Sequence, residues 1–231
     1  KKILEELARA EHDIARLTDG VEQVLRVGLP HYASFRWLPN VVEEFRVAYP
    51  AMELEISAES ATSPLKALYN GDIDVAMISS ASKTLQIDDA SYQSDFILED
   101  ELLACTANQH KHAGREFLVP LDFSDETYVT NSTVPEKDRE YELFFKPDNV
   151  LPRKVLQVGF NEAIIELVNA NMGISIFSKR QIEPYLPSSN IRTIPLGQEG
   201  LNIYWHLVYL NQESFIKPAR LLTKVLKKQV N

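Results

Sequence analysis

The chain has 231 residues, 45% of them apolar and 25% charged, with a formal net charge of −9. This is enough for a real core in one large domain or two small lobes, and an acidic surface of this kind repels DNA and anionic membranes. The single cysteine, Cys105, excludes an internal disulfide and a cysteine-built zinc cluster, and no apolar run approaches the ~20 residues that span a bilayer.

The first twenty residues, KKILEELARAEHDIARLTDG, are charged throughout and do not read as a signal peptide; without an initiator Met, the chain reads as a piece of a longer one. Ile3, Leu7, Ala10, Ile14 and Leu17 recur in alternating steps of four and three, with charged residues on the other faces. Two readings fit this seam: an amphipathic helix lying on its own domain, or the end of a dimerising coiled coil. Thr18, Asp19 and Gly20 stop it.

From Val21 strands and helices alternate. VLRVGL (24–29) reads as a strand, and SFRWLPNVVEEFRVAYP (34–50) as a helix with Trp37, Leu38, Val41, Val42 and Phe45 on one face and Pro39 in its first turns. MELEIS (52–57) alternates like a strand, SPLKALYN (63–70) is a short helix, and DVAMIS (74–79) is a buried strand of the parallel type. A β-α-β-α-β run of this kind builds a parallel sheet with helices on its faces. A second set follows: strands at 96–107 and 127–130, a helix over 136–145, a strand at 154–158, a helix over 161–173 and a buried strand at 174–178. Strands at 191–195 and 201–210 and a helix over 214–230, with Pro218 in its first turns, complete the chain.

ALYNGDIDVAMIS and LVNANMGISIFS share one design, an apolar helix, a glycine, then a buried strand ending in serine. In both, the glycine is expected to supply the left-handed residue that ends the helix. Two copies point to two similar lobes, with the last strand and helix returning to the first. Asp72 and Asp74 could be taken for an acid/base pair. They fall at the amino end of their strand, however, whereas ligands of such sheets sit beyond the carboxyl ends, so the pair reads as scaffold.

The stretch LYNGDIDVAMI resembles the L-x-x-G-x-L-D-x-A-I motif of the effector-binding domain of LysR-type transcriptional regulators. LRVGLPHYASFRWLPNVVEEFRVAYPAMELEIS, LEDELLACTANQHKHA and VLQVGFNEAIIELVNANMGISIFS resemble that family's further segments, in order and over essentially the whole chain. HKHA (110–113) lacks the usual His-Pro, and Ser178 stands where a proline is typical. RWLPNVVEEF, SPLKALYNGDIDVAMIS and the 160–174 segment look closest to the methionine-biosynthesis branch.

The resemblance implies two Rossmann-like α/β lobes with mainly parallel sheets joined by crossover strands, the periplasmic-binding-protein-like type 2 arrangement, after an N-terminal linker helix. The expected boundaries are 1–20 for the end of the dimerisation linker, 21–97 with 201–231 for lobe I, and 98–200 for lobe II. It further implies a cytoplasmic sensor without catalytic activity, whose co-effector is a small molecule, homocysteine by the branch. Implied partners are a homodimeric or homotetrameric assembly of the chain itself, promoter DNA through a winged helix-turn-helix outside this chain, and RNA polymerase as a candidate. No metal, cofactor or membrane partner is expected.

Parallel lobes turn strand C-termini and helix N-termini toward a shared cleft, where unpaired N–H groups suit a carboxylate. The loops that qualify carry His31, Tyr32 and Ser34; Glu59, Ser60 and Thr62; Thr130 and Asn131; and Phe160 and Asn161. A zwitterionic amino acid needs donors for its carboxylate, an acceptor for its amine and an apolar wall. Ser34, Ser60, Thr62, Thr130 and Asn131 could donate, Glu59 could accept, and Tyr32 and Phe160 could form the wall; the competing role of the hydroxyls is helix capping. His31 could titrate near neutral pH or simply line the site. His110, His112 and His206 have no recognisable metal-ligand spacing, and Cys105 falls in an apolar strand where it packs. A free-standing solute-binding protein for a small amino acid or organic anion would share this architecture, but it would have no use for the seam at Ile3 to Leu17. An enzyme would need a nucleophile–base pair in the cleft, and none is legible.

Overall fold

The computed structural model describes residues 21–31, 33, 35–88 and 90–230. The linker seam (Ile3, Leu7, Ala10, Ile14 and Leu17) and the candidate residues Tyr32 and Ser34 lie outside the described residues.

The first lobe starts with β1 (Gln23–Gly28), α1 (Leu38–Ala48), β2 (Met52–Ser57), α2 (Pro64–Tyr69) and β3 (Val75–Ser80). β1 lies between β2 and β3 and runs parallel to both, as the alternation of strands and helices predicts. Pro39 occupies the first turn of α1, where a missing N–H costs nothing. Val41 and Phe45 of α1 are almost fully buried, and α1 packs against α5 (Glu213–Val230), the helix that closes the chain. Pro218 falls in the second turn of α5.

The long strand β4 (Tyr92–Ala107) leaves this lobe for the second. Its first part pairs with β9 (Asn202–Leu210), from Tyr92 opposite Leu210 to Glu101 opposite Asn202, and β9 in turn pairs with β3. Its second part pairs with β7 (Ser175–Ser178) on one side and β8 (Ile191–Pro195) on the other. The sheets are therefore more mixed than the mainly parallel expectation: β9 is antiparallel to both β3 and β4, and β4 to β7 and β8. The cause is directional. The chain leaves the first lobe along β4 and re-enters along β9, so the two crossing segments must oppose one another.

The second lobe adds β5 (Thr127–Thr130), β6 (Lys154–Gln157), α3 (Asn161–Asn169) and the short helix α4 (Lys179–Ile182). β5 and β6 are parallel, and a bridge from Tyr128 to Ile174 joins them to the rest of the lobe. One expectation fails here: 136–145 is not an α-helix but ends in a single π-type turn, Tyr141–Phe145. Asp138 adopts a left-handed backbone (φ 57°), which breaks any helix through it. Phe144 and Phe145 then turn inward and pack edge-on against Phe123, at centroid distances of 5.5 and 5.2 Å.

The matched helix ends are alike in geometry but not in residue. After α2, Gly71 is left-handed (φ 77°) and the Asp72 amide bonds the Ala67 carbonyl at 2.9 Å. After α3 the left-handed residue is Asn171 (φ 59°), with Met172 bonding the Leu167 carbonyl at 2.9 Å. Gly173 is needed for another reason: a Cβ there would lie 2.5 Å from the Thr127 carbonyl oxygen. The scaffold reading takes physical form at Asp74. The Asp74 carboxylate accepts the Arg26 amide at 2.8 Å, and the Asp74 amide donates to the Arg26 carbonyl at 2.8 Å, pinning the start of β3 to β1.

Candidate ligand-binding site

A cavity of about 310 Å³ opens in the second lobe where it faces the first. Its walls come from β5 and the loop after it, the π-type turn, the start of α3, β7 and α4, and His31 reaches it from the loop after β1. Of the sequence-derived candidates, His31, Thr130, Asn131 and Asn161 line it. The Asn131 amide donates to Asn161 Oδ1 at 3.1 Å, and the Asn161 amide donates to the His31 carbonyl at 2.6 Å. His31 Nδ1 lies 3.1 Å from the Ala61 carbonyl, and its Nε2 lies 3.6 Å from Glu136 Oε1. His31 therefore touches both halves of the cleft. Thr130 is buried and its hydroxyl donates to the Ser132 carbonyl at 3.0 Å, so it shapes its own loop as well as the wall.

The other described candidates do not line this cavity. Glu59 and Thr62 are exposed, and Phe160 is 74% exposed outside the wall it was expected to form. Ser60 turns inward, donates to the Ser57 carbonyl at 2.9 Å and packs where a Cβ on Gly28 would go. The tight 57–61 turn aims it at its own backbone rather than at the cleft.

Polar groups that sequence reading missed carry much of the wall. Arg139, 5% exposed, sets its Nε 3.3 Å from Glu140 Oε2, and the Tyr128 hydroxyl donates to Glu140 Oε1 at 3.4 Å. Burial, and then the Glu140 carboxylate, push the Tyr128 hydroxyl well above its ordinary pKa, so it stays a donor. Gln181 lines the cavity from α4 and is 6% exposed. The only signal for Arg139 and Glu140 was the charge density of EKDREYELFF, which a helix reading assigns to a solvated face.

A second cavity, about 370 Å³, lies at the lobe junction between Trp37, Ile97, Leu98, Trp205 and Leu226. Asp100, 6% exposed, forms part of its wall and is held by three donors: the Glu101 amide at 2.9 Å, the Arg180 amide at 3.3 Å and Trp205 Nε1 at 3.3 Å. Elsewhere Glu126 gathers Lys111 (2.7 Å), His112 (3.2 Å) and His110 (3.3 Å), while His206 stands apart beside Ser80 and Ser82. Among the described residues, no group of three or more His, Cys, Asp or Glu side chains is arranged to hold a metal ion. Cys105 is fully buried and its thiol is pushed up by desolvation, which suppresses thiolate chemistry. No helix among the described residues is long and apolar enough to cross a membrane.

Two α/β lobes facing one another across a cavity of mixed polar and apolar lining define a small-molecule-binding domain of the periplasmic-binding-protein-like type 2 architecture. Residues 18–231 match the LysR substrate binding domain, and the chain belongs to that family. It is 26% identical over 206 residues to the HTH-type transcriptional regulator MetR of Haemophilus influenzae, covering 88% of this chain and 64% of that protein. With MetR of Escherichia coli it shares 25% over 206 residues, covering 85% and 62%. The chain thus spans about two thirds of the length of these relatives. In fold it resembles the regulatory domain of MetR from N. meningitidis, with a TM-score of 0.77, 19% identity and coverage of 90% and 93%. It also resembles the effector-binding domain of BenM solved with its effector benzoate, with a TM-score of 0.65, 19% identity and coverage of 90% and 92%.

Proposed function

We propose that this chain is the effector-sensing part of a LysR-type DNA-binding regulator of methionine and sulfur amino-acid biosynthesis, with homocysteine as co-effector. The observation that carries the reading is the cavity at the cleft, with His31 of one lobe meeting Glu136 and Asn161 of the other. The MetR relatives support the methionine assignment. In this reading residues 1–20 end a dimerisation helix, 21–97 with 201–231 form one lobe and 98–200 the other. The protein acts in the cytoplasm as a dimer or tetramer, meets promoter DNA through a preceding winged helix-turn-helix, and offers RNA polymerase a contact. A guest that binds one relative setting of the lobes more tightly shifts the population toward it, by no more than its differential affinity. The shift would reach the DNA through the linker.

Scanning fluorimetry against homocysteine, methionine, cysteine and O-acetylserine tests this. A specific guest stabilises by RT ln(1 + [L]/Kd), so millimolar homocysteine should raise the melting temperature measurably. A flat response to homocysteine beside a clear response to another of the four would replace the co-effector and keep the sensor.

A further inference from the structure

We infer that the cavity reads the head group of an α-amino acid through Arg139 and Glu140, with the side-chain amide of Gln181 as a further donor to the guest; the inference rests on the sensor reading above. Two independent features point to these residues. Gln181 Nε2 is buried in the wall and has no hydrogen-bond partner. Buried amide donors are almost always paired, because leaving one unpaired forfeits its hydration without return. An acceptor on a guest would satisfy it.

The second feature is a guanidinium and a carboxylate side by side in the same wall. This is the complement of a zwitterion: the fork of Arg139 matches a carboxylate, and Glu140 matches an ammonium. The balance of charge decides between classes of guest. The cavity carries Arg139 against two carboxylates, Glu136 and Glu140. An organic acid lacking an amine would bring a third carboxylate to a single guanidinium, whereas an amino acid arrives with its own counter-charge. One part of the wall, formed by Phe145, Leu151, Val155 and Ile164, is apolar and suits an aliphatic or thioether side chain.

Calorimetric titration of this chain with four probes tests the assignment: L-homocysteine, L-methionine, 4-(methylthio)butanoic acid, which lacks the amine, and 3-(methylthio)propylamine, which lacks the carboxylate. At least one amino acid should bind about tenfold or more tighter than either truncated analogue. Gln181→Leu should weaken that binding about fivefold or more while leaving the melting temperature of the free protein unchanged or higher, because it deletes an unpaired buried donor. Arg139→Lys keeps the charge but loses the fork, and should also weaken binding. Equal affinity for the amine-free acid would overturn the inference and leave the sensor intact. So would Gln181→Leu lowering the melting temperature at unchanged affinity, since Gln181 would then serve the fold. No binding by the four probes, beside a clear response to another organic anion, has the same consequence; no response to any small molecule would sink both readings.

Discussion

Glu126 and His110 show how a buried cluster ties stability to pH. Burial holds His110 below its ordinary pKa, although Glu126 pulls the other way. Its Nδ1 accepts the His112 amide at 3.2 Å, a bond that a proton on that nitrogen would break. A histidine whose folded pKa is lowered leaves stability intact above the unfolded value, about 6.5, and erodes it as pH falls below that point. Glu126 behaves differently. Burial opposes its ionisation, but Lys111 and His110 outweigh burial and lower its pKa, so its contribution persists above the carboxylate range and is lost only at more acidic pH. The melting temperature should therefore decline first just below pH 6.5 and again near the carboxylate range. His110→Gln should remove part of the first decline and spare the second; an unaltered profile would count against the cluster as its source. His206, also lowered by burial, accounts for a remaining share of that first decline.

At the scale of elements, most of the fold was legible in the sequence. The period-two and 3.6-residue patterns place β1 to β3, α1, α2 and α5 close to where they lie, because each buries one face against a common core. The failures have one kind of cause. A run of charged and aromatic residues around Asp138 has helical composition, yet a single left-handed residue and the pull of Phe123 on Phe144 and Phe145 override propensity. Arg139 and Glu140 were missed for the same reason, since a residue placed on a solvated helix face attracts no role in a cavity. Conversely, Ser60 and Phe160 were chosen by loop position and side-chain type, and turn geometry sends one inward and the other out. The paired helix ends sharpen the point: the matched glycines suggest one role, but Asn171 takes the left-handed place in the second copy. Gly173→Ala should thus destabilise by overpacking, about 1–3 kcal/mol, because its Cβ meets the backbone carbonyl of Thr127. Gly71→Ala has open space around it and should cost about 1–2 kcal/mol from backbone strain alone. Denaturant melts of both variants check this; if a second substitution, Val129→Ala, relieves Gly173→Ala completely, the clash with the Thr127 backbone is not the cause.

For the whole molecule, the decisive feature is the ribbon of β4 and β9, which carries the chain out of one lobe and back. Asp100 sits where this ribbon passes between the lobes, taking one donor from Trp205 on the first lobe's sheet and another from Arg180 on α4 of the second. It is not among the residues that line the cleft cavity. The fraction of molecules in a binding-competent setting divides into the intrinsic dissociation constant to give the observed one. Asp100→Ala should accordingly rescale the affinities of all guests by one common factor and leave their ranking untouched. Titrating several ligands against both forms measures this, and a reordered ranking would place Asp100 among the groups that recognise the guest.

The same three-donor carboxylate has a consequence for how such a sensor can evolve. On the proposed reading, selectivity lies in the cleft, whereas Asp100, at the crossing of two strands, would set the threshold concentration at which the protein responds. A lineage could retune how much metabolite it takes to trip the response by altering one residue that never meets the metabolite.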